Sequence, residues 1–446
     1  MTRSPVGGPP DRMPWRAVIG GSIGNLVEWY DWFVYASFAT YFAAAFFPHG
    51  DATAQLLNTA AIFAVGFFMR PVGGWLLGRF ADRRGRRPAL TLSVSLMSAS
   101  ALLIAVAPAY DSAGHLGAAI LLVARLMQGL SVGGEYAAGA VYLAESAPPG
   151  RRGLASSFQY VSMTAGQLTG LGLEIILQQA MSEQKLESFG WRIPFFVGTF
   201  GAAAVYYLRR GLLVETEAYA GQADGMPTPE RGTLRRVLAH RREAALVMAL
   251  TMGGTVAYYT CTTYLTKHLS STAGLSRETA SLVSFCSLVV FMLLQPALGA
   301  LSDRVGRRPL LIAFGLGASL GTVSLMTALS RAMDFASALA LSLPGLVIVS
   351  GYTSANAVVK AELFPTHVRA LGVALPYALA NALFGGTAER FWRAVSNENV
   401  PGSGLGLAIA SDLAKSGGGP LRLAPNEPHG LVVELMLVDP AGARSR

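Results

Sequence analysis

The chain has 446 residues, 52% hydrophobic and only 14% charged, with a formal net charge of +9 and a mean hydropathy of +0.43. Soluble domains carry about 25% charged residues, so this composition excludes an ordinary soluble globular protein. The basic residues sit in short loops between apolar segments rather than in one patch, which excludes nucleic acid as a partner.

The opening MTRSPVGGPPDRMPWR is polar and basic, without a short apolar core or a small-residue cleavage site. It does not read as a removable signal peptide. Segments near the length of a spanning helix, about 20 residues, follow near 17–47, 55–78, 89–108, 116–145, 153–180 and 191–209. After a polar stretch, 210–242, five more lie near 244–268, 279–301, 309–330, 335–361 and 368–388. The prediction is an all-α membrane protein with eleven spans. Arginines concentrate in alternate loops, for example Arg79 to Arg87, Arg151 and Arg152, Arg209 to Arg242, and Arg304 to Arg308. Positive charge resists translocation, so these loops are expected on the cytoplasmic side. Cys261 and Cys286 fall inside apolar segments, make no metal spacing and read as packing residues.

An internal repeat organises the segments. GRFADRRGRRP at 78–88 returns as GALSDRVGRRP at 299–309, so Gly78, Asp82, Gly85, Arg86, Arg87 and Pro88 match Gly299, Asp303, Gly306, Arg307, Arg308 and Pro309. AESAPPGRRG at 144–153 returns as AELFPTHVRA at 361–370, pairing Glu145 with Glu362 and Arg152 with Arg369. Two matches at nearly one offset predict two six-helix repeats. The first is residues 1–209, a cytoplasmic linker spans 210–242, and the second repeat, cut to five helices, covers 243–389. Repeated halves are a transporter signature, with the site between them near the bilayer midplane. Asp82 and its repeat mate, with the arginines, glycines and glutamates of both motifs, are expected to hold one conformation and release another. Gly85 permits a turn too tight for a side chain.

The repeated loop resembles the signature of the major facilitator superfamily. Within it, GNLVEWYDWFVY at 24–35, FFMRPVGGWLLGRFADRRGRR at 67–87, RLMQGLSVGGEY at 125–136 and WRIPF at 191–195 resemble the metabolite:proton symporters. SFQYVSMTAGQL at 157–168, GGTVAYYTCTTYLTKHL at 253–269 and the run from Lys360 to Glu389 resemble members that import the C5 dicarboxylate α-ketoglutarate. The resemblance covers about residues 14–389. It implies a proton-coupled importer in a bacterial inner membrane, a monomer with no cofactor, and not an enzyme. Shikimate, citrate and osmolyte symporters share the scaffold and remain alternatives.

Ionisable residues at membrane depth are the candidate site. Each costs about 2.5–3.5 kcal/mol at the bilayer centre, so they are expected to face a central cavity and pair with one another. Arg70 and Arg125 suit a carboxylate substrate, because guanidinium binds it bidentately and stays charged. Glu28, Asp31 or Glu135 would take the coupling proton, since burial and a nearby arginine move a carboxyl pKa in opposite directions. The alternative for each is a permanent structural ion pair. Tyr30, Gln159, Tyr258, Thr262 and Asn381 are candidate polar contacts, with Gln295 and Asn356 as further amides. Arg192 would guide anions inward or anchor a helix end.

Residues 390–446 contain no run of about 20 apolar residues. ERFWR at 389–393 and GSGLGLAIA at 402–410 resemble boxes of a sensor histidine kinase ATP-binding domain. The parts that would hold adenine and magnesium are missing, so neither kinase activity nor ATP binding is expected. A short α/β fragment joined to a carrier lacking its twelfth helix is the reading. A transport-defective product and a membrane sensor are its alternatives.

Overall fold

The computed structural model describes residues 13–48, 52–220, 230–384, 421–425 and 431–435. Long helices stand at all eleven expected places: α1 (Trp15–Phe46), α2 (Ala52–Arg84), α3 (Arg86–Val106), α4 (Leu116–Ser146), α5 (Arg152–Ala180) and α6 (Arg192–Leu212). The next are α7 (Arg241–Cys261), α8 (Thr263–Ser271), α9 (Arg277–Val305), α10 (Arg307–Leu329), α11 (Phe335–Glu362) and α12 (Arg369–Phe384). Residues Leu421–Pro425 and Leu431–Leu435 pair as an antiparallel ribbon. The rest of the kinase-like tail lies outside the described residues.

Two elements differ from expectation. α2 runs to Arg84, so the arginine knot is two helix ends joined at Gly85 rather than a loop. Arg83 and Arg84 in the last turn complement the negative end of the helix. The seventh segment breaks at Thr262, whose hydroxyl donates to the Tyr258 carbonyl at 2.7 Å. Such back-bonding competes with the helical ladder and bends helices.

Seven of the described helices are long and apolar enough to cross a membrane. α1, α5, α6 and α12 are not among them; α1 carries Glu28 and Asp31, and α12 is described over only 16 residues. The outer surface is apolar where lipid would lie. Ile312, Leu316 and Leu320 form one stripe along α10, with Leu320 77% exposed.

In chain order the helices form two groups, α1–α6 and α7–α12. Within the first, α2 lies on α4, α1 on α5, and α3 on both α4 and α6; within the second, α11 packs against α9 and α10. The groups meet along α2 with α12 and α5 with α9. Small residues set the closest crossing. A Cβ at Gly133 on α4 would stand 2.1 Å from the Arg70 carbonyl oxygen of α2, as at the small-residue interfaces of membrane helices.

Gly133→Ala is therefore expected to force α2 away from α4 and destabilise the fold by about 1–3 kcal/mol. Thermal unfolding in detergent should show a lowered midpoint; an unchanged midpoint would mean the crossing is not this tight.

Candidate functional site

The cytoplasmic end of the interface is closed by carboxylates that reach across it. Asp82 on α2 accepts the backbone N–H groups of Ala370 and Leu371, at 3.0 and 2.9 Å, in the first turn of α12. Asp303 on α9 accepts those of Gly153 and Leu154, at 2.8 and 2.9 Å, in the first turn of α5. Each aspartate thus satisfies unpaired donors at the positive end of a helix in the opposite group. Arg86 and Arg307 sit beside their own aspartates, at 3.2 and 3.1 Å.

The second repeated motif crosses in the same way. Glu145 pairs with Arg369 at 2.8 Å and with Arg86 at 3.2 Å, while Glu362 meets Arg152 at 3.8 Å and Arg307 at 3.5 Å. The first set is buried and the second is open to solvent, with Arg152 and Glu362 side chains 47% and 39% exposed, so the second contributes little. Gly85 (φ 109°) and Gly306 (φ 90°) make the turns. Glu215 accepts the N–H groups of Arg86 and Arg87 at 3.0 and 3.2 Å, covering the start of α3. Arg87 and Arg308 are exposed; the Arg87 guanidinium donates to the Arg210 carbonyl at 3.2 Å.

Deeper in the first group, Arg70 and Arg125 are buried among rings. The Arg70 guanidinium stands 4.1 Å from the Trp32 ring centre and 4.3 Å from Phe67. Arg125 stands 4.2 Å from both Trp32 and Tyr35. Nε and Nη2 of each lack a hydrogen-bond partner. Among the described residues neither arginine forms an ion pair, so the expectation that the buried charges pair directly is corrected. Aromatic faces stand where carboxylates were expected. Arg125 reaches Asp31 only through Gln128, which accepts from the guanidinium and donates to the carboxylate. Asp31 Oδ1 and Glu28 Oε2 are unpartnered. The other Glu28 oxygen accepts from Ser131 at 2.8 Å.

Glu135 belongs to a different constellation. Arg209 and Ser93 both bind it, and all three side chains are buried. Arg209 also donates to the Gly20 and Leu90 carbonyls. The expectation that Arg209 is a loop charge is corrected, because α6 continues past it and turns its side chain into the bundle. Glu135 holds a structural ion pair with it.

A cavity lies between the groups. Trp29 and Tyr160 line it from the first; Thr255, Tyr258, Tyr377 and Asn381 line it from the second. Its solvent-accessible volume is about 10 Å³, room for about one water. Arg70 stands 5.9 Å from the Trp29 ring centre, behind that wall. Tyr258 and Asn381 are thus brought to the cavity, and Asn381 accepts from Thr255 at 3.3 Å.

Four predicted residues are engaged elsewhere. Tyr30 donates to the Pro194 carbonyl at 2.8 Å, between α1 and α6. Gln159 donates to Asn25 at 3.3 Å inside the first group. The Thr262 hydroxyl serves the helix break. Arg192 donates to the Ala105 and Ala107 carbonyls at the end of α3, both at 2.7 Å. Gln295 joins α9 to α11 through Ser350 and Thr353. Asn356 donates across the interface to the Tyr136 and Tyr160 hydroxyls, at 2.7 and 3.1 Å.

The profile of the Major Facilitator Superfamily matches residues 21–388. The chain belongs to this superfamily. It is 47% identical to the alpha-ketoglutarate permease of Escherichia coli K12 over 84% of this chain and 85% of that protein. It is 34% identical to the citrate-proton symporter of Salmonella typhi, covering 83% and 85%. To the proline/betaine transporter of E. coli K12 it is 30% identical, covering 86% and 79%. The proton:xylose symporter XylE, bound to 6-bromo-6-deoxy-D-glucose, shares the fold with a TM-score of 0.70 at 22% identity, covering 86% of this chain and 91% of that one.

In this superfamily member the sequence reading missed Gln128, Arg209 and Lys360. Gln128 lies three residues after Arg125 on one helix face, a signal that was available. Arg209 was masked by neighbouring loop arginines, and Lys360 by its nearness to a helix end.

Glu135→Gln is expected to strand the Arg209 charge and cost about 3–5 kcal/mol, whereas the double variant Glu135→Gln with Arg209→Met costs well below the sum of the singles. A double-mutant cycle on thermal unfolding reads this. Additive losses would mean that the two side chains do not act as a pair.

Proposed function

We propose that this chain is a proton-coupled symporter that imports a small dicarboxylate, α-ketoglutarate foremost, across the bacterial inner membrane. The observation that carries the reading is the small cavity between the two groups, with a guanidinium holding unpaired donors behind one wall. The 47% identity to a protein named for α-ketoglutarate supports the choice of substrate, and the citrate-proton symporter relative supports coupling to protons.

Arg70 is the primary carboxylate site in this reading. Its free Nε and Nη2 form the fork that a carboxylate accepts bidentately. Asp31 takes the coupling proton. It shares Gln128 with Arg125, so a change of charge on Asp31 is felt by the cation across that amide. Glu135 is left out of the proton path, because Arg209 already neutralises it.

Uptake of labelled α-ketoglutarate into proteoliposomes, with and without an inward proton gradient, tests the reading. Accumulation should require the gradient and collapse with a protonophore, and citrate, shikimate and proline at equal concentration should compete poorly. Uptake indifferent to the gradient would remove symport, and no uptake would remove the reading. Arg70→Gln should lower kcat/KM about tenfold to a hundredfold, the cost of losing a charged hydrogen-bond donor. Asp31→Asn should keep substrate exchange while losing gradient-driven accumulation.

A further inference from the structure

Lys360 lies two residues before the cytoplasmic end of α11, which stops at Glu362. A lysine so near a helix end ordinarily extends its stem to put the ammonium into water. Here the side chain is fully buried and runs the other way. Nζ stands 4.5 Å from the ring centre of Tyr377, 5.5 Å from Tyr136 and 5.8 Å from Tyr352. The Tyr352 hydroxyl, at 3.4 Å, is its hydrogen-bond partner. Among the described residues no carboxylate comes within ion-pair range of it. A cation buried without a counter-charge is a cost that ring faces only partly offset, and a methionine of similar length would fill the same space.

The cage is built from both helix groups. Tyr136 belongs to α4, while Tyr352 and Tyr377 belong to α11 and α12. Tyr136 and Tyr377 stack across the interface, with centroids 3.7 Å apart and planes 5° from parallel. Tyr377 also lines the central cavity, so the ring nearest Nζ borders the cavity as well. Parting of the groups at the cytoplasmic end separates Tyr136 from Tyr377. Lys360 would then stay with the second group.

We propose that Lys360 is a second anion site, beside the Tyr136–Tyr377 stack, that takes one carboxylate of the transported acid when the groups part toward the cytoplasm. This rests on the dicarboxylate reading above. Arg70 belongs to the first group and Lys360 to the second, and a substrate with two carboxylates is passed from one cation to the other before release. A monocarboxylate has no second group to hand over.

The test uses the full chain in proteoliposomes of known orientation, with KM for α-ketoglutarate measured from each face. Lys360→Met should raise the cytoplasmic-face KM about tenfold or more, the loss of one charged hydrogen bond, and leave the external-face KM within about twofold. Lys360→Arg should stay near the wild type. A chain with Lys360→Cys, Cys261→Ser and Cys286→Ser adds a readout that does not depend on how well the methionine variant folds. Aminoethyl methanethiosulfonate rebuilds an ammonium there and should restore the cytoplasmic-face KM, whereas the neutral methyl reagent should not. Equal shifts at both faces, unchanged kinetics, rescue by the neutral reagent, or failure of the cysteine to react would each overturn the proposal. If the wild type itself carries no dicarboxylate, wild type and variants are inert alike. That outcome removes the functional reading and this site with it, and differs from a one-sided change in a working carrier.

Discussion

The contact between the halves is built on two aspartates that each cap a helix of the other half. Asp82 holds the first N–H groups of α12, and Asp303 those of α5. A helix start presents donors that its own turns cannot satisfy, together with a partial positive charge. Placing a carboxylate there from across the interface makes closure a matter of hydrogen-bond accounting rather than of shape alone. The arginines one turn later sit 3.2 and 3.1 Å from these carboxylates and orient them. Gly85 and Gly306 let the next helix begin without pushing that turn away.

Much of this was legible because duplication is visible in a sequence. The matched spacing of Asp82 with Asp303, and of Glu145 with Glu362, predicts equivalent roles, and the structure shows them reaching across in mirror fashion. Eleven helix positions were legible from apolar length. Other features depend on direction, which periodicity does not carry. Tyr30 and Gln159 face neighbours within one helix group, and no spacing in the sequence distinguishes that from facing the cavity. Arg209 and Lys360 look like ordinary charges near helix ends; only the packed structure shows their side chains turned inward.

The buried charges divide into two kinds by how fully they are satisfied. Glu135 and Arg209 meet each other, with carbonyls taking the remaining donors, and a set so complete has nothing left to offer a ligand. Arg70, Arg125, Asp31 and Glu28 each retain an unpartnered polar atom. Buried groups left short of partners are costly, which is why the proposed function assigns the exchangeable partners, a proton and a carboxylate, to this set. The first kind lies wholly within one helix group and so moves with it. The second kind includes Arg70, which borders the interface through Trp29.

That division also keeps alternating access within reach of substrate binding. Opening would exchange the helix N–H groups held by Asp82 and Asp303 for water and part the Glu145–Arg369 pair, whose arginine is already partly exposed. Each such exchange costs about 1.5–3 kcal/mol at most. Had the Glu135 and Arg209 pair bridged the two groups instead, opening would have separated buried opposite charges at about 3–5 kcal/mol. A carrier must pass between two states by differential affinity alone, and about 5.5 kcal/mol already moves an equilibrium from one side almost wholly to the other. Confining the strong pair to one half and giving the interface water-replaceable caps keeps the two states close enough for a bound substrate to choose between them.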